Sequence, residues 1–118
     1  MAGQFTHADL TYLESMSMGS QEMVNEMIQI FLDQIPEFTT GLNDLLANQD
    51  FVGLAAIAHK AKSSVAVMGM DELTTVLKNL EIKAKAGEDI DSYPDLVKTF
   101  LTQVDITEKE MLDFLAQF

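Results

Sequence analysis

The chain has 118 residues, of which 47% are hydrophobic and 22% charged, and its formal net charge is −12. This length suits one folded domain, so residues 1–118 are expected to form a single unit. The negative charge argues against nucleic acid or an anionic membrane as a partner, because both are polyanions. The chain has no cysteine, no apolar run of membrane-spanning length and no signal-peptide pattern, so a cytoplasmic protein without disulfides is expected.

The first predicted element is a short helix that begins at Thr6 and ends near Met16 to Gly19. Thr6 would be the N-cap and Asp9 the third helical residue of a capping box. His7 would then lie in the exposed first turn, and we expect it to have no functional role.

The second predicted helix is long and begins after Ser20, which can cap it. Pro36 lies inside its apolar seam without shifting the phase, which predicts either one kinked helix or two nearly collinear helices that meet near Pro36. Met23 and Met27 would either fill the core or form an adaptable exposed surface. The seam has alternating spacings of four and three and consists of Val24, Ile28, Phe31, Ile35, Phe38, Leu42 and Leu45.

Three further helices follow, with short connections between them. Asp50 is predicted to cap the third helix and Gly69 to end it, Asp71 to cap the fourth and Gly87 to end that one, and Pro94 to lie in the first turn of the last. The last two helices carry the apolar stripes Leu73, Val76, Leu77, Leu80 and Ala84, and Val97, Phe100, Leu101, Val104, Met111, Leu115 and Phe118. The predicted fold is all-α, an antiparallel four-helix bundle with a short N-terminal helix.

The third helix carries His59 on the side opposite its apolar stripe. The stripe consists of Leu54, Ile57, Ala61, Val65 and Met68. The residues near His59 in the projection are Val52, Ala55, Ala56, Lys62, Ser63, Ala66 and Met70. No acidic residue occurs between Asp50 and Asp71, which is unusual for so acidic a chain. One interpretation is a surface histidine on an alanine-rich helix; the other, which we favour, is a reactive imidazole kept accessible to a partner.

Two lysines accompany this histidine. Lys62 lies one helical turn away, where its ammonium could neutralise a phosphoryl group. Lys60 lies about 100° around the helix and is expected to help electrostatic steering. A metal-binding bundle is a weaker alternative, because no carboxylate lies three or four residues from His59. The chain also has no GxxxxGK, GxGxxG, HExxH or GxSxG motif, so we expect no ATP binding, no bound cofactor and no metal site.

The sequence around His59 resembles the signature of the histidine-containing phosphotransfer (HPt) domain, roughly A-H-x-L-K-G-S with a Gly ten residues after the His. The matching positions are Ala58, His59, Lys62, Ser64 and Gly69. The similarity continues through Leu73, Leu80, Glu81 and Gly87. Two positions differ: Ala61 replaces the usual Leu and Ser63 the usual Gly. Serine is still small, and its hydroxyl could donate to a phosphate oxygen.

The resemblance implies a phosphorelay intermediate rather than an enzyme. A receiver-domain aspartyl phosphate would give its phosphoryl group to His59, which would pass it to another receiver aspartate. Lys62 would stabilise the phosphoryl group, and Ser63 would leave space and offer a hydrogen bond. The receiver would supply the Mg²⁺. The alternative is a docking module that binds receiver domains without phosphoryl chemistry.

The resemblance also implies a transient docking surface around the ring. We expect this surface to consist of Val52, Ala55, Ala56, Lys60, Ala66 and Met70, with Met23 and Met27 as further candidates. The expected partners are response-regulator receiver domains, with a hybrid sensor histidine kinase as a further candidate. The chain itself is expected to be a monomer.

Overall fold

Five α-helices and one short 3-10 turn account for most of residues 5–118, the part of the chain that the computed structural model describes. The helices are α1 Thr11–Met16, α2 Gln21–Ala47, α3 Phe51–Val67, α4 Asp71–Ala86 and α5 Tyr93–Leu115, with the 3-10 turn at Ile90–Ser92. Helices α2 to α5 pack as α2 on α3, α3 on α4, α4 on α5 and α5 back on α2. The predicted all-α bundle is confirmed. Within residues 5–118 no helix has both the length and the apolar character needed to cross a membrane.

The start of α1 differs from the prediction. The helix begins at Thr11, and the Asp9 carboxylate accepts hydrogen bonds from the Thr11 backbone N–H at 2.9 Å and hydroxyl at 2.6 Å. Thr6 is not an N-cap: its backbone N–H and hydroxyl donate to the Glu110 carboxylate on α5, at 3.0 and 2.7 Å. His7 precedes the helix and is half-buried rather than exposed in a first turn. A contact with a residue 104 positions away has no local sequence signal, which is why the capping pattern was misleading.

Helix α2 runs without interruption through Pro36, so of the two predicted alternatives the single helix is found and the break into two helices does not occur. The Ser20 side chain accepts from the Met23 N–H at 3.2 Å, as its N-cap position predicted. An internal proline costs a helix about 3 kcal/mol. Burial of the seam on both sides of Pro36 offsets that cost. The buried residues of α2 are Val24, Ile28, Phe31, Leu32, Ile35, Phe38 and Leu42.

Helix α3 has the predicted N-cap, whereas α4 does not. The Asp50 carboxylate accepts from the Gly53 N–H at 2.9 Å. Asp71 is the first residue of α4 rather than its cap, and the N-cap position is held by Met70 without a side-chain hydrogen bond. The Asp71 charge still lies at the positive end of the helix dipole.

Gly69 ends α3 in the left-handed conformation, with φ of +67°, at a point of very close approach. A Cβ atom here would lie 2.0 Å from the Asp9 carbonyl oxygen. The Asp9 N–H also donates to the Met68 carbonyl at 3.1 Å. The segment before α1 is therefore attached directly to the C-terminal end of α3.

The C-terminal end of α5 packs differently from the prediction. Phe118 lies beyond the helix and is 66% exposed, so its place in the predicted apolar stripe is wrong. Phe114 is buried instead and packs against Phe5, with ring centroids 5.7 Å apart. The helical projection no longer applies after Leu115, where α5 ends.

Candidate functional site

The imidazole of His59 projects from the middle of α3 into solvent. Its side chain is 63% exposed, and Nδ1 lies 2.8 Å from Oε2 of Glu81 on α4. Helix α3 makes its most extensive contact with α4, and it buries Ala55, Ala58 and Ala61. Such small side chains permit close helix approach, which brings Glu81 within reach of the ring.

Glu81 is a buried carboxylate held by three nitrogen groups from two helices. Its side chain is only 7% exposed. Oε1 accepts from Nζ of Lys62 at 2.8 Å, while Oε2 contacts Nζ of Lys85 at 3.1 Å as well as the His59 ring. The hydrogen bond from Lys62 lowers the pKa of Glu81 to about 2, burial opposes that shift, and Lys85 and His59 add to the lowering. Glu81 is therefore ionised at neutral pH.

The charge on Glu81 determines the tautomer that we assign to the neutral His59 ring. An ionised carboxylate can only accept hydrogen bonds, so Nδ1 must be the donor in its contact with Oε2. The proton of the neutral ring is then on Nδ1, and the lone pair is on Nε2. Nε2 is on the side of the ring away from the carboxylate, so the lone pair of the neutral ring points away from Glu81.

Glu81 is absent from the site residues predicted from the sequence, because it lies 22 residues from His59. A usable signal was present: Glu81 lies beside Leu80 and Ala84 on the buried face of α4. A buried carboxylate needs cationic or hydrogen-bonding partners. The longest acid-free window in the chain, around His59 and Lys62, was the natural place to look for them.

The charged groups around the His59 ring are suited to binding an anion rather than a metal ion. Both oxygens of Glu81 are occupied by nitrogen donors, and residues 5–118 contain no group of three His, Cys, Asp or Glu side chains placed to hold a metal ion. Two ammonium groups, from Lys62 and Lys85, flank one carboxylate. The local excess of positive charge favours an anionic group at the ring.

The serines next to His59 have separate partners. Ser63 is exposed, and its hydroxyl donates to the carbonyl of His59 in the preceding turn, at 3.4 Å. Ser64 is half-buried and donates to the Gln34 side chain of α2 at 2.9 Å. Ser63 therefore leaves the space beside the ring open, while Ser64 joins α3 to α2.

Lys60 points away from Glu81. Its ammonium forms an ion pair with Glu37 of α2, and its side chain is 54% exposed. Lys62 is 26% exposed and lies against Glu81. The structure thus separates the two lysines as the helical projection predicted, with Lys62 at the ring and Lys60 on the neighbouring face.

Some of the predicted docking residues are exposed in the structure and others are buried. Val52 is 84% exposed and Met23 49% exposed, Ala56 and Ala66 are also exposed, and Met27 is half-buried. Two other predicted docking residues, Ala55 and Met70, are buried, so the exposure predicted for them is wrong.

The two buried residues of that set are Ala55, 2% exposed, and Met70, which has no exposed surface. Ala55 belongs to the buried side of α3. Met70 follows the left-handed residue Gly69, where the projection of the helix no longer describes side-chain direction.

A shallow groove of about 280 Å³ lies between α2 and the C-terminal half of α3. Its walls are mainly apolar, and Ser63, four residues after His59, contributes to them. Ile30, 53% exposed, is part of this surface and was absent from the predicted set. The lining residues are Met27, Ile30, Phe31, Gln34, Ser63, Ser64, Val67 and Met68.

Fold and site together define a helical bundle that presents one exposed histidine supported by a buried carboxylate. The family model for the Hpt domain matches residues 26–112, and the chain therefore belongs to the Hpt domain family. The predicted resemblance is confirmed.

Two kinds of relative agree with this assignment. The structure is similar to the crystal structure of histidine-containing phosphotransfer protein B (HptB) from Pseudomonas aeruginosa PAO1, with a TM-score of 0.87 over 98% of this chain and 99% of that one. At 21% identity, this similarity shows a shared fold. The phosphorelay protein LuxU of Vibrio vulnificus, strains YJ016 and CMCP6, is 31% identical over 71 residues, which are 60% of this chain and 62% of each relative.

Proposed function

We propose that this chain is a phosphorelay intermediate, in which His59 accepts a phosphoryl group from the aspartyl phosphate of one receiver domain and passes it to the aspartate of another. The observation that carries the proposal is the 2.8 Å contact between Nδ1 of an exposed ring and an ionised, buried Glu81. That contact leaves Nε2 as the nucleophile.

The transfer needs no general base. The Nε2 lone pair attacks phosphorus, the new N–P bond forms, and the P–O bond breaks with its electron pair leaving on the receiver aspartate. Nε2 carries no proton in the assigned tautomer, so none has to be removed. The ring becomes positively charged as the bond forms, and the Glu81 carboxylate stabilises that charge. The second transfer is the reverse reaction with a different aspartate.

Lys62 and Ser63 support the phosphoryl group in different ways. The ammonium of Lys62, one turn from His59, neutralises negative charge on the phosphoryl oxygens as a point charge. Ser63 is small and exposed, which leaves room for the group and for the receiver that delivers it. The receiver supplies the acidic pocket and Mg²⁺, so this chain contributes the nucleophile and positive charge.

The proposed docking surface surrounds His59 on α2 and α3. It consists of Val52, Ala56, Lys60, Ala66, Met23 and Met27, together with the groove residue Ile30. Exposed apolar residues of this kind are typical of partner sites. Lys60 steers an acidic receiver pocket toward the ring, although its pairing with Glu37 reduces that contribution. A receiver of a hybrid sensor histidine kinase is a candidate donor.

The test is incubation of the chain with phosphorylated receivers, following acid-labile, base-stable phosphate on this chain. We expect wild type and His7→Gln to become labelled and His59→Gln to remain unlabelled. Labelling that requires His7 instead would overturn the assignment. Receiver binding that survives His59→Ala, with no phosphorylation of wild type, would favour the docking-module alternative.

A further inference from the structure

Lys85 and His59 share one oxygen atom of Glu81. Oε2 lies 2.8 Å from Nδ1 of the ring and 3.1 Å from Nζ of Lys85. The two nitrogens therefore cannot be more than about 6 Å apart, the sum of these contacts. Lys62 contacts the other oxygen, Oε1. The ammonium of Lys85 thus lies at the ring although it comes from α4 and is distant in sequence.

The two lysines differ in how firmly they are held. Lys62 is 26% exposed and makes the largest contribution to keeping Glu81 ionised. Lys85 is 65% exposed, and it is joined to Glu81 as a neighbour one turn along α4. The Lys85 ammonium is well hydrated when it leaves, and the buried Glu81 carboxylate keeps its hydrogen bonds from Lys62 and His59. Moving the Lys85 ammonium away from Glu81 therefore costs little.

The balance of charge around Glu81 favours movement of the Lys85 ammonium toward a phosphorylated His59. One carboxylate flanked by two ammonium groups leaves one positive charge in excess while the ring is neutral. Phosphorylation at Nε2 adds a group with close to two negative charges beside this excess. The ring then carries positive charge itself, and its Nδ1–H can satisfy Oε2 of Glu81 alone.

We propose that Lys85 is a second phosphoryl-binding cation, which moves from Glu81 to the phosphoryl oxygens when His59 is phosphorylated. This inference rests on the proposed function. Lys62 remains the counter-ion that keeps Glu81 charged, and Lys85 is the mobile partner. The other lysine near the end of α4, Lys83, is paired with Asp89 and is not part of this exchange.

The test uses phosphoramidate as the phosphoryl donor, so that no partner protein is needed. Nε2 attacks the phosphorus of phosphoramidate, the P–N bond of the reagent breaks, and ammonia leaves. The rate of phosphohistidine formation is measured at low and high salt for wild type, Lys85→Ala, Lys85→Arg and Lys62→Ala. Lys109→Ala is the matched control, because it also removes a lysine that pairs with an acid one turn away, on α5.

We expect Lys85→Ala to slow formation roughly fivefold at low salt, the scale of one exposed charge contact, and to weaken the salt dependence. Lys85→Arg should restore most of the rate, and Lys109→Ala should leave it unchanged. We expect the lifetime of the phosphohistidine to follow the same order. It should be shorter in Lys85→Ala than in wild type, mostly restored in Lys85→Arg and unchanged in Lys109→Ala.

Three outcomes would overturn the inference. If Lys85→Ala reacts like wild type while Lys62→Ala is slow, Lys85 has no such role and the proposed function stands. If Lys85→Ala changes the ¹⁵N shifts of the unphosphorylated His59 ring and Lys85→Arg fails to rescue, Lys85 acts only by positioning Glu81. If wild type is not labelled at His59 by phosphoramidate or by any receiver, the proposed function fails as well.

Discussion

His59 on α3 and Glu81 on α4 are joined by a hydrogen bond of 2.8 Å between Nδ1 and Oε2. The histidine is mostly exposed and the glutamate almost fully buried, so the pair connects the surface of the bundle to its interior. The buried end is charged and fixed by lysines from both helices. The exposed end therefore has a defined orientation and a defined tautomer before any partner arrives, which is a form of preorganisation.

Glu81→Gln should slow phosphorylation of His59 by about tenfold or more, because an amide neither fixes the tautomer nor stabilises positive charge on the ring. The rate of labelling by phosphoramidate measures the effect, and the ¹⁵N shifts of His59 report the tautomer. Glu72→Gln is the matched control, since Glu72 is also on α4 and accepts a side-chain hydrogen bond, from Gln103. Equal rates for the two variants would remove Glu81 from the mechanism.

Glu81 should also make stability depend on pH in the acid range. Its pKa is lowered from 4.5 to about 2, so its stabilising contribution is complete above pH 4.5 and is lost as the pH falls toward 2. Between pH 6 and about pH 2, wild type should lose on the order of 2 kcal/mol more unfolding free energy than Glu81→Gln. Urea unfolding at a series of pH values gives this difference, because the other carboxylates are common to both proteins. Parallel pH profiles would contradict an ionised, ion-paired Glu81.

Ile30→Asp should weaken receiver binding about tenfold while stability changes little, because Ile30 is 53% exposed in the groove between α2 and α3 that Ser63 also lines. Leu112→Asp provides the control: Leu112 is 52% exposed but belongs to α5. Titration calorimetry with a receiver that labels His59 would measure the binding affinity of both variants. If the two variants bind alike, the α2–α3 groove is not the docking surface.

Gly69→Ala should destabilise the protein by at least about 2 kcal/mol more than Gly87→Ala. Both glycines have nearly the same positive φ, +67° and +66°, so the left-handed strain is matched. They differ in surroundings. A Cβ at position 69 would lie 2.0 Å from the Asp9 carbonyl oxygen, whereas a Cβ at position 87 would have no packed neighbour within 4 Å. Chemical unfolding of the two variants measures the difference. Similar losses would mean that the segment before α1 is not attached at Gly69.

The sequence alone was sufficient for the long helices and for the exposure of the ring. The seam of α2, the caps at Ser20 and Asp50, and the outward direction of His59 all depend on neighbours one to four residues apart, which periodicity and capping describe directly. Helical spacing also singled out Lys62, and the family signature added the phosphorelay hypothesis. These features required no knowledge of how one helix lies on another.

Only the tertiary structure decided which residues complete the site. The pairing of His59 with Glu81, the approach of Lys85 and the burial of Ala55 depend on the rotation and register of α3 against α4. The attachment of Thr6 to α5 similarly joins segments far apart in sequence. Helical periodicity determines which residues share a face of one helix, but interhelical packing determines what that face meets. Periodicity places Glu81 on the buried face of α4, but only interhelical packing decides that its partner is a histidine 22 residues away.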